Sequence, residues 1–227
     1  MPTASRLEDN RAARRTSEAL CAGARDVLLR VHFFGRPRFS IDGAPYALAA
    51  PPKALILLAY LLLERSAAVQ RDTLAFALWP DEDEGMARAN LRRCLYRLQR
   101  GLPESDVPWL IAESETIRWN VQAPYWFDVA GFENACVCTD RLDGLPQIYT
   151  GDLLEGLYEE WIFPIRERLR SKYLNALDQL ASAARSRRDF QTAAHYVSLL
   201  LGVDSGAKTR CVASCRYDTL WVTVAAH

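Results

Sequence analysis

The stretch at residues 87–102, ARANLRRCLYRLQRGL, decides the fold of this chain. In a helix, at about 100° per residue, its apolar residues fall on one face and its arginines on the other. The first face holds Ala87, Leu91, Cys94, Leu95, Leu98 and Leu102. The second holds Arg92, Arg93, Tyr96, Arg97 and Arg100, with Arg88 at its flank. One face therefore predicts a core contact, and the other predicts a surface for an anion.

The arginines are a local feature, because the whole chain has 28 basic and 28 acidic residues. An arginine can bond phosphate or a guanine edge at two points, and asparagine can bond adenine in the same way. We therefore predict a DNA recognition helix. Its expected DNA-binding residues are Arg88, Asn90, Arg92, Arg93, Tyr96, Arg97 and Arg100. The alternative is an amphipathic helix whose arginines merely face solvent, and this stretch alone leaves both interpretations open.

Length and composition indicate a globular protein without a membrane segment. The chain has 227 residues, of which 50% are hydrophobic, enough to bury a core in one or two domains. The longest apolar run, residues 54–63, is too short to cross a bilayer, and the N-terminal residues contain no apolar signal segment. We therefore expect a cytoplasmic protein that does not associate with membranes.

The six cysteines do not have the paired spacing of a zinc ribbon. Two close pairs, Cys136 with Cys138 and Cys211 with Cys215, could be considered as metal ligands, but no histidine pattern accompanies them. Buried or merely tolerated thiols are the favoured interpretation. We expect reduced cysteines, no metal and no cofactor.

The N-terminal part of the chain predicts an arm followed by a small antiparallel sheet. Residues 1–26 are polar and aperiodic, as is typical of a disordered arm. Short strands are predicted at residues 28–34, 38–41 and 45–48. Asp42-Gly43 lies between the last two, and this dipeptide is a strong hairpin signal.

Three helices and a second hairpin should follow this sheet. Pro51-Pro52 opens the first helix, and residues 71–78 form a second that ends before Pro80. The acidic run at residues 81–84 precedes the arginine helix, where carboxylates favour the positive helix end. We therefore favour capping and solvation for this run over a metal or catalytic cluster. Strands at 109–113 and 116–120 complete the order of a winged helix-turn-helix.

The first half of the chain resembles the OmpR-like winged helix of the SARP family of antibiotic-pathway transcription activators. The resemblance is carried by LRVHFFGRPRFSIDGAPY, PPKALILLAYLLLE, LAFALWPDEDEGMARANLRRCLYRLQRGL and WLIAESETIRWN. The chain departs from the family in the wing, where Glu115-Thr116-Ile117 replaces a usual Gly-Tyr. The resemblance implies double-stranded DNA with promoter direct repeats as the target, and RNA polymerase as a partner.

The second half of the chain has long helical periods. Apolar residues keep helical register over residues 165–184 and again over 190–201, which predicts two antiparallel helices of a repeat. The stretch YTGDLLEGLYEEWIFPIRERLRSKYLNALDQLA resembles the bacterial transcriptional activator domain of the same family. That resemblance implies a tetratricopeptide-like fold, protein docking and a homodimer contact. Between Phe132 and Tyr149 the chain is shorter than the family pattern, so this domain is expected to be incomplete.

These patterns together predict a mainly α fold with small β elements. A winged helix-turn-helix at residues 27–122 is followed by an α-helical, tetratricopeptide-like domain at residues 125–204. Residues 205–227 have no helical period and form a divergent tail. We expect this tail to reflect a shortened or frame-disturbed gene end.

The leading hypothesis is a sequence-specific DNA-binding transcription activator, and the alternative is a helical-repeat docking adaptor without specific DNA binding. An enzyme is the third class considered, because Asp152, Glu155, Glu159 and Glu160 lie near Trp161 in the sequence. No glycine-rich loop, nucleophile elbow or metal partner accompanies these carboxylates. We therefore expect no enzymatic activity and assign no catalytic residue.

Overall fold

The first sheet is built on strand β1 (Leu29–His32), in which Leu29 and Val31 are fully buried. The computed structural model describes residues 28–137 and 139–203. Strand β2 (Arg38–Ile41) pairs antiparallel with β1, and β3 (Ala44–Tyr46) pairs antiparallel with β2. The turn between β2 and β3 uses Asp42 and Gly43, whose φ angles are 49° and 85°. The predicted hairpin is confirmed, and glycine meets the positive φ without strain.

Three helices follow: α1 (Pro52–Leu63), α2 (Arg71–Leu78) and α3 (Glu84–Gly101). Proline fits the first turn of α1 because the amide of that position has no partner within the helix. Helix α3 packs against both α1 and α2, so the three helices share one core. Lys53 Nζ donates to the carbonyl oxygen of Leu78 at 2.9 Å, which joins the start of α1 to the end of α2.

The wing is a second, three-stranded sheet. Its strands are β4 (Val69–Gln70), β5 (Leu110–Ala112) and β6 (Thr116–Trp119), and β6 lies between the other two. Both pairings are antiparallel. The predicted C-terminal hairpin is confirmed. The pairing of the short strand β4 with β6 ties this hairpin to the chain segment that leads into α2.

Strand β7 (Tyr125–Phe127) was not predicted. It pairs parallel with β1, so the first sheet has the order β3-β2-β1-β7 rather than three strands. Residue 125 was expected to begin the helical domain, and a strand of three residues is too short to show an alternating pattern in the sequence. The described residues up to Gly131 form one compact unit, and those from Phe132 form a second. The limits given above for the winged helix-turn-helix, 27–122, and for the tetratricopeptide-like domain, 125–204, remain predictions.

A buried carboxylate connects the end of the first sheet to helix α4 (Asp128–Val137). Asp128 is 1% exposed, and its Oδ2 accepts from the backbone N–H groups of Phe33 at 2.8 Å and Phe34 at 2.9 Å. Its Oδ1 accepts from the N–H of Val129 at 2.7 Å. Burial raises the pKa of Asp128 to about 6, although these hydrogen bonds lower it. The carboxyl group therefore satisfies three backbone donors that would otherwise be buried without a partner.

Replacing Asp128 with asparagine should lower the free energy of unfolding by roughly 1–3 kcal/mol. Asparagine has one acceptor oxygen, so its NH₂ group would face at least one of the backbone donors. Urea unfolding of wild type and Asp128→Asn measures the difference, with Asp106→Asn on the exposed surface as the control. Equal stability of the two variants would contradict this role for Asp128.

The second unit contains a 3-10 helix (Thr139–Gly144), α5 (Leu145–Ile148), α6 (Ile162–Ser186) and α7 (Phe190–Val203). The two predicted long helices are confirmed, and they pack along each other across the short turn at residues 187–189. In that turn Asp189 Oδ1 accepts from the N–H of Thr192 at 3.1 Å, which caps the start of α7. The unit is therefore organised around one helical hairpin.

The loop before α6 is fixed by a single arginine. Arg166 donates to the carbonyl oxygens of Leu153 at 2.8 Å, Leu154 at 3.1 Å and Leu157 at 3.1 Å. Leu154 is fully buried with a φ of 53°, a conformation that this loop must stabilise through its contacts.

In the described part of the chain, no helix is both long and apolar enough to span a bilayer. The predicted arm at 1–26 and tail at 205–227 lie outside the described residues.

Candidate nucleic-acid interface

Helix α3 has the two faces that its sequence predicts. Every residue of the expected apolar face is buried: Ala87, Leu91, Cys94, Leu95, Leu98 and Leu102. Burial raises the pKa of the Cys94 thiol to about 11, so this thiol stays protonated at neutral pH. On the other face Asn90 is half-buried and the remaining predicted residues are exposed: Arg88, Arg92, Arg93, Tyr96, Arg97 and Arg100. The structure therefore brings the predicted set together on one surface, and DNA contact by that set remains a prediction.

The N-terminus of α3 begins at a capping aspartate. Asp83 has an extended backbone, and its Oδ1 accepts from the N–H of Met86 at 3.0 Å. Glu84 follows in the first turn, where a carboxylate interacts favourably with the positive end of the helix. The capping interpretation of the acidic run is confirmed for Asp83, while Asp81 and Glu82 are exposed. The cap defines where α3 starts.

Replacing Asp83 with alanine should lower the free energy of unfolding by about 1 kcal/mol, because the N–H of Met86 loses its partner. The measurement is urea unfolding followed by circular dichroism. Asp81→Ala changes the charge by the same amount and should have little effect. If both variants lose the same stability, charge rather than capping explains the result.

The C-terminus of α3 lies close to the segment that follows β3. A Cβ atom on Gly101 would be 3.0 Å from the carbonyl oxygen of Ala49 and 3.1 Å from Cβ of Ala50. Tyr46 donates its hydroxyl hydrogen to the carbonyl oxygen of Gly101 at 2.6 Å. Gly101 is therefore a packing glycine at the end of the helix, where sequence reasoning interpreted it only as a stop signal.

Gly101→Ala should lower the free energy of unfolding by about 1–3 kcal/mol, because backbone atoms of residues 49–50 must move to admit the methyl group. Gly144→Ala is the matched control, since its Cβ would meet no atom within 4 Å. We expect that control to be neutral or stabilising by about 0.4–1 kcal/mol. Thermal unfolding of both variants gives the comparison, and a neutral Gly101→Ala would contradict the close approach.

The wing tip is attached to the start of α2 through backbone groups. Arg71 donates its N–H to the carbonyl oxygen of Glu115 at 2.8 Å and its Nε–H to the carbonyl oxygen of Glu113 at 3.0 Å. The hydroxyl of Thr116 donates to a carboxylate oxygen of Glu113 at 3.1 Å. The side chains of Glu113 and Glu115 are exposed, as is Arg118 on β6. The tip that lies beside the basic helix is therefore acidic.

Arg88 differs from the other predicted residues. Its Nε and Nη2 atoms donate to the two carboxylate oxygens of Asp72, each at 2.7 Å, and Nη2 also lies 2.7 Å from Oε1 of Glu84. The hydrogen bonds from Arg88 hold the pKa of Asp72 below its ordinary value. Sequence reasoning missed Asp72, because no local pattern indicates a pair between residues sixteen positions apart on different helices.

The remaining polar residues of the outer face form local contacts along α3. Arg93 donates to Oδ1 of Asn90 at 2.5 Å, so each side chain helps to orient the other. Arg100 donates to the Tyr96 hydroxyl at 3.0 Å and lies 5.8 Å from the centre of its ring. Among the described residues, Arg92 and Arg97 form no salt bridge. These two guanidinium groups are therefore available to an anion.

Comparison with known proteins supports the fold. No match is found among protein-family models or among curated proteins. A solved structure, Mycobacterium tuberculosis EmbR in complex with low affinity phosphopeptide, superposes with a TM-score of 0.55 at 19% identity. The match covers 82% of this chain and 60% of that chain, so this chain spans about three fifths of that protein. At this identity the likeness supports the fold alone, a winged helix followed by helices.

Proposed function

We propose that this protein is a sequence-specific DNA-binding transcription regulator whose helix α3 enters the major groove. The observation that supports the proposal is an exposed basic face on a helix whose opposite face is buried, beside a small wing. In winged helix-turn-helix proteins such a helix fits the width of the major groove. The fold likeness to the solved structure is consistent with this assignment.

In this proposal the exposed arginines of α3 other than Arg88 neutralise phosphates, and one or more of Asn90, Arg93 and Arg97 reaches a base edge. The bond between Arg93 and Asn90 limits the rotamers of both side chains, which reduces the entropy lost when they bind a base. If about four phosphates are neutralised, the logarithm of affinity should fall with the logarithm of salt at a slope of about −3.6. Arg88 is left out of this set because Asp72 and Glu84 already bind it.

The role of activator rests on the family resemblance. That resemblance suggests promoter direct repeats as the binding site, RNA polymerase as a partner, and a homodimer formed through the helical unit. Two direct repeats on the same face of the duplex would place two copies of the chain side by side. The oligomeric state on DNA therefore tests this part of the proposal, by analytical ultracentrifugation with one-repeat and two-repeat duplexes.

A docking adaptor is the second candidate, and one observation favours it. Helix α7 exposes large apolar side chains, with Phe190 65% and Leu201 53% exposed. If these side chains belong to one contiguous apolar patch, that patch is of the kind that binds other proteins. The two functions are separated by DNA selection, because an adaptor without specific DNA binding enriches no sequence from genomic fragments.

Two of the four carboxylates considered for an enzyme form hydrogen bonds within their own loop. Asp152 accepts from the Tyr149 hydroxyl at 2.8 Å, and Glu155 accepts from the N–H of Asp152 at 3.2 Å. Both bonds lie within the loop that Arg166 holds, which gives these two residues a role in loop structure. The geometry gives no reason to propose catalysis there.

The double variant Arg93→Ala, Arg97→Ala should bind a selected genomic site more weakly by about 1–3 kcal/mol for each lost base contact. Removing a base contact should also relax the preference at one or more positions of that site. Fluorescence anisotropy with the selected duplex and its single-base variants measures both effects.

The matched control is Arg36→Ala, Arg187→Ala, which removes the same charge from exposed positions outside α3. This control should keep both affinity and base preference. Unchanged affinity and selectivity in the α3 double variant would rule out α3 as the recognition helix.

A further inference from the structure

The ion pair between Asp72 and Arg88 connects the first turn of α2 with the start of α3. It is bidentate, and Glu84 lies on the same guanidinium group. The side chains of Arg88, Asp72 and Glu84 are 49%, 50% and 58% exposed. Ion pairs at such exposure contribute little to stability, because solvent and salt screen them. The stability of the fold therefore does not explain why two carboxylates surround this arginine.

The pair lies at a groove where a DNA backbone would pass. The groove has a volume of about 550 Å³ and lies between α2, α3 and the wing tip. Gln70, Arg71, Arg92 and Glu115 line it together with Asp72 and Arg88. In a helix-turn-helix, the helix before the recognition helix crosses the phosphate backbone, and its positive N-terminus favours an anion. Here the carboxylate of Asp72 occupies that end of α2 and is an intramolecular competitor of phosphate.

We propose that Asp72 withholds Arg88 from DNA phosphates and thereby limits sequence-independent DNA binding. This inference rests on the proposed DNA-binding function. Two carboxylates around one guanidinium leave a local negative charge, which repels an approaching phosphate. Phosphate contacts supply most non-specific affinity, and a genome offers a large excess of non-specific sites. Restraining one arginine therefore leaves recognition to the exposed arginines further along α3.

The test uses Asp72→Asn, which keeps the size of the side chain and removes its charge. Affinity of the full chain for a scrambled duplex of fixed length is measured by fluorescence anisotropy over a range of salt concentrations. If Arg88, released from Asp72 but still beside Glu84, reaches one phosphate, affinity should rise roughly tenfold at low salt. It should also make the salt slope more negative by about 0.9.

Two further variants separate the release of Arg88 from a change in net charge. Asp106→Asn changes the charge by the same amount at an exposed site outside α2 and α3, and should raise affinity much less. The double variant Asp72→Asn, Arg88→Ala should lose the gain of Asp72→Asn. Thermal unfolding of each variant confirms that the fold is intact.

The inference is wrong if Asp72→Asn and Asp106→Asn raise affinity for the scrambled duplex equally. It is also wrong if the double variant Asp72→Asn, Arg88→Ala keeps the gain in affinity. Either outcome leaves the proposed function standing if wild type binds the duplex and the Arg93→Ala, Arg97→Ala variant binds it less. In that case only this inference is wrong. If wild type and Asp72→Asn both fail to bind any duplex, the proposed function fails together with it.

Discussion

Burial of one face of α3 is the constraint on which the rest of the structure depends. The leucines of this helix pack into the core shared with α1 and α2, so the helix cannot rotate about its axis without exposing them. Each fully buried leucine contributes roughly 1.5–3 kcal/mol relative to an exposed one. A shift of one residue would turn the helix by about 100° and bury arginines in place of leucines. The direction of the basic face is therefore determined by the apolar face.

The two ends of α3 add a second constraint, on its position along its own axis. Asp83 caps the first turn, and Gly101 approaches the backbone of Ala49 so closely that a Cβ atom would require neighbouring atoms to shift. Backbone bonds from Arg71 then hold the wing beside the same helix. The basic surface is thus carried by a helix that is held at both ends and beside the wing.

Local patterns predicted much of this fold, and contacts between distant residues account for what they missed. The period of the leucines in α3 and the Asp42-Gly43 turn are local, and the structure contains both features where they were expected. Strand β7 pairs with a strand nearly one hundred residues earlier, and its three residues carry no period of their own. No local sequence pattern indicates the pairing of Asp72 with Arg88 either, because the pair forms only when α2 and α3 lie side by side. Sequence therefore located the candidate surface but did not distinguish Arg88, which is bound by two carboxylates, from the arginines of α3 that form no salt bridge with a described residue.

The way in which the wing is held explains how its tip can differ from the family pattern. Arg71 bonds to carbonyl oxygens of Glu113 and Glu115, and every residue type has a carbonyl oxygen. Side chains at the tip can therefore change without loss of these bonds. Carboxylates at this position are repelled by phosphates and disfavour close approach of a DNA backbone to the tip. An acidic tip next to a basic helix therefore concentrates the surface that attracts an anion on α3, where the proposed function places its base contacts.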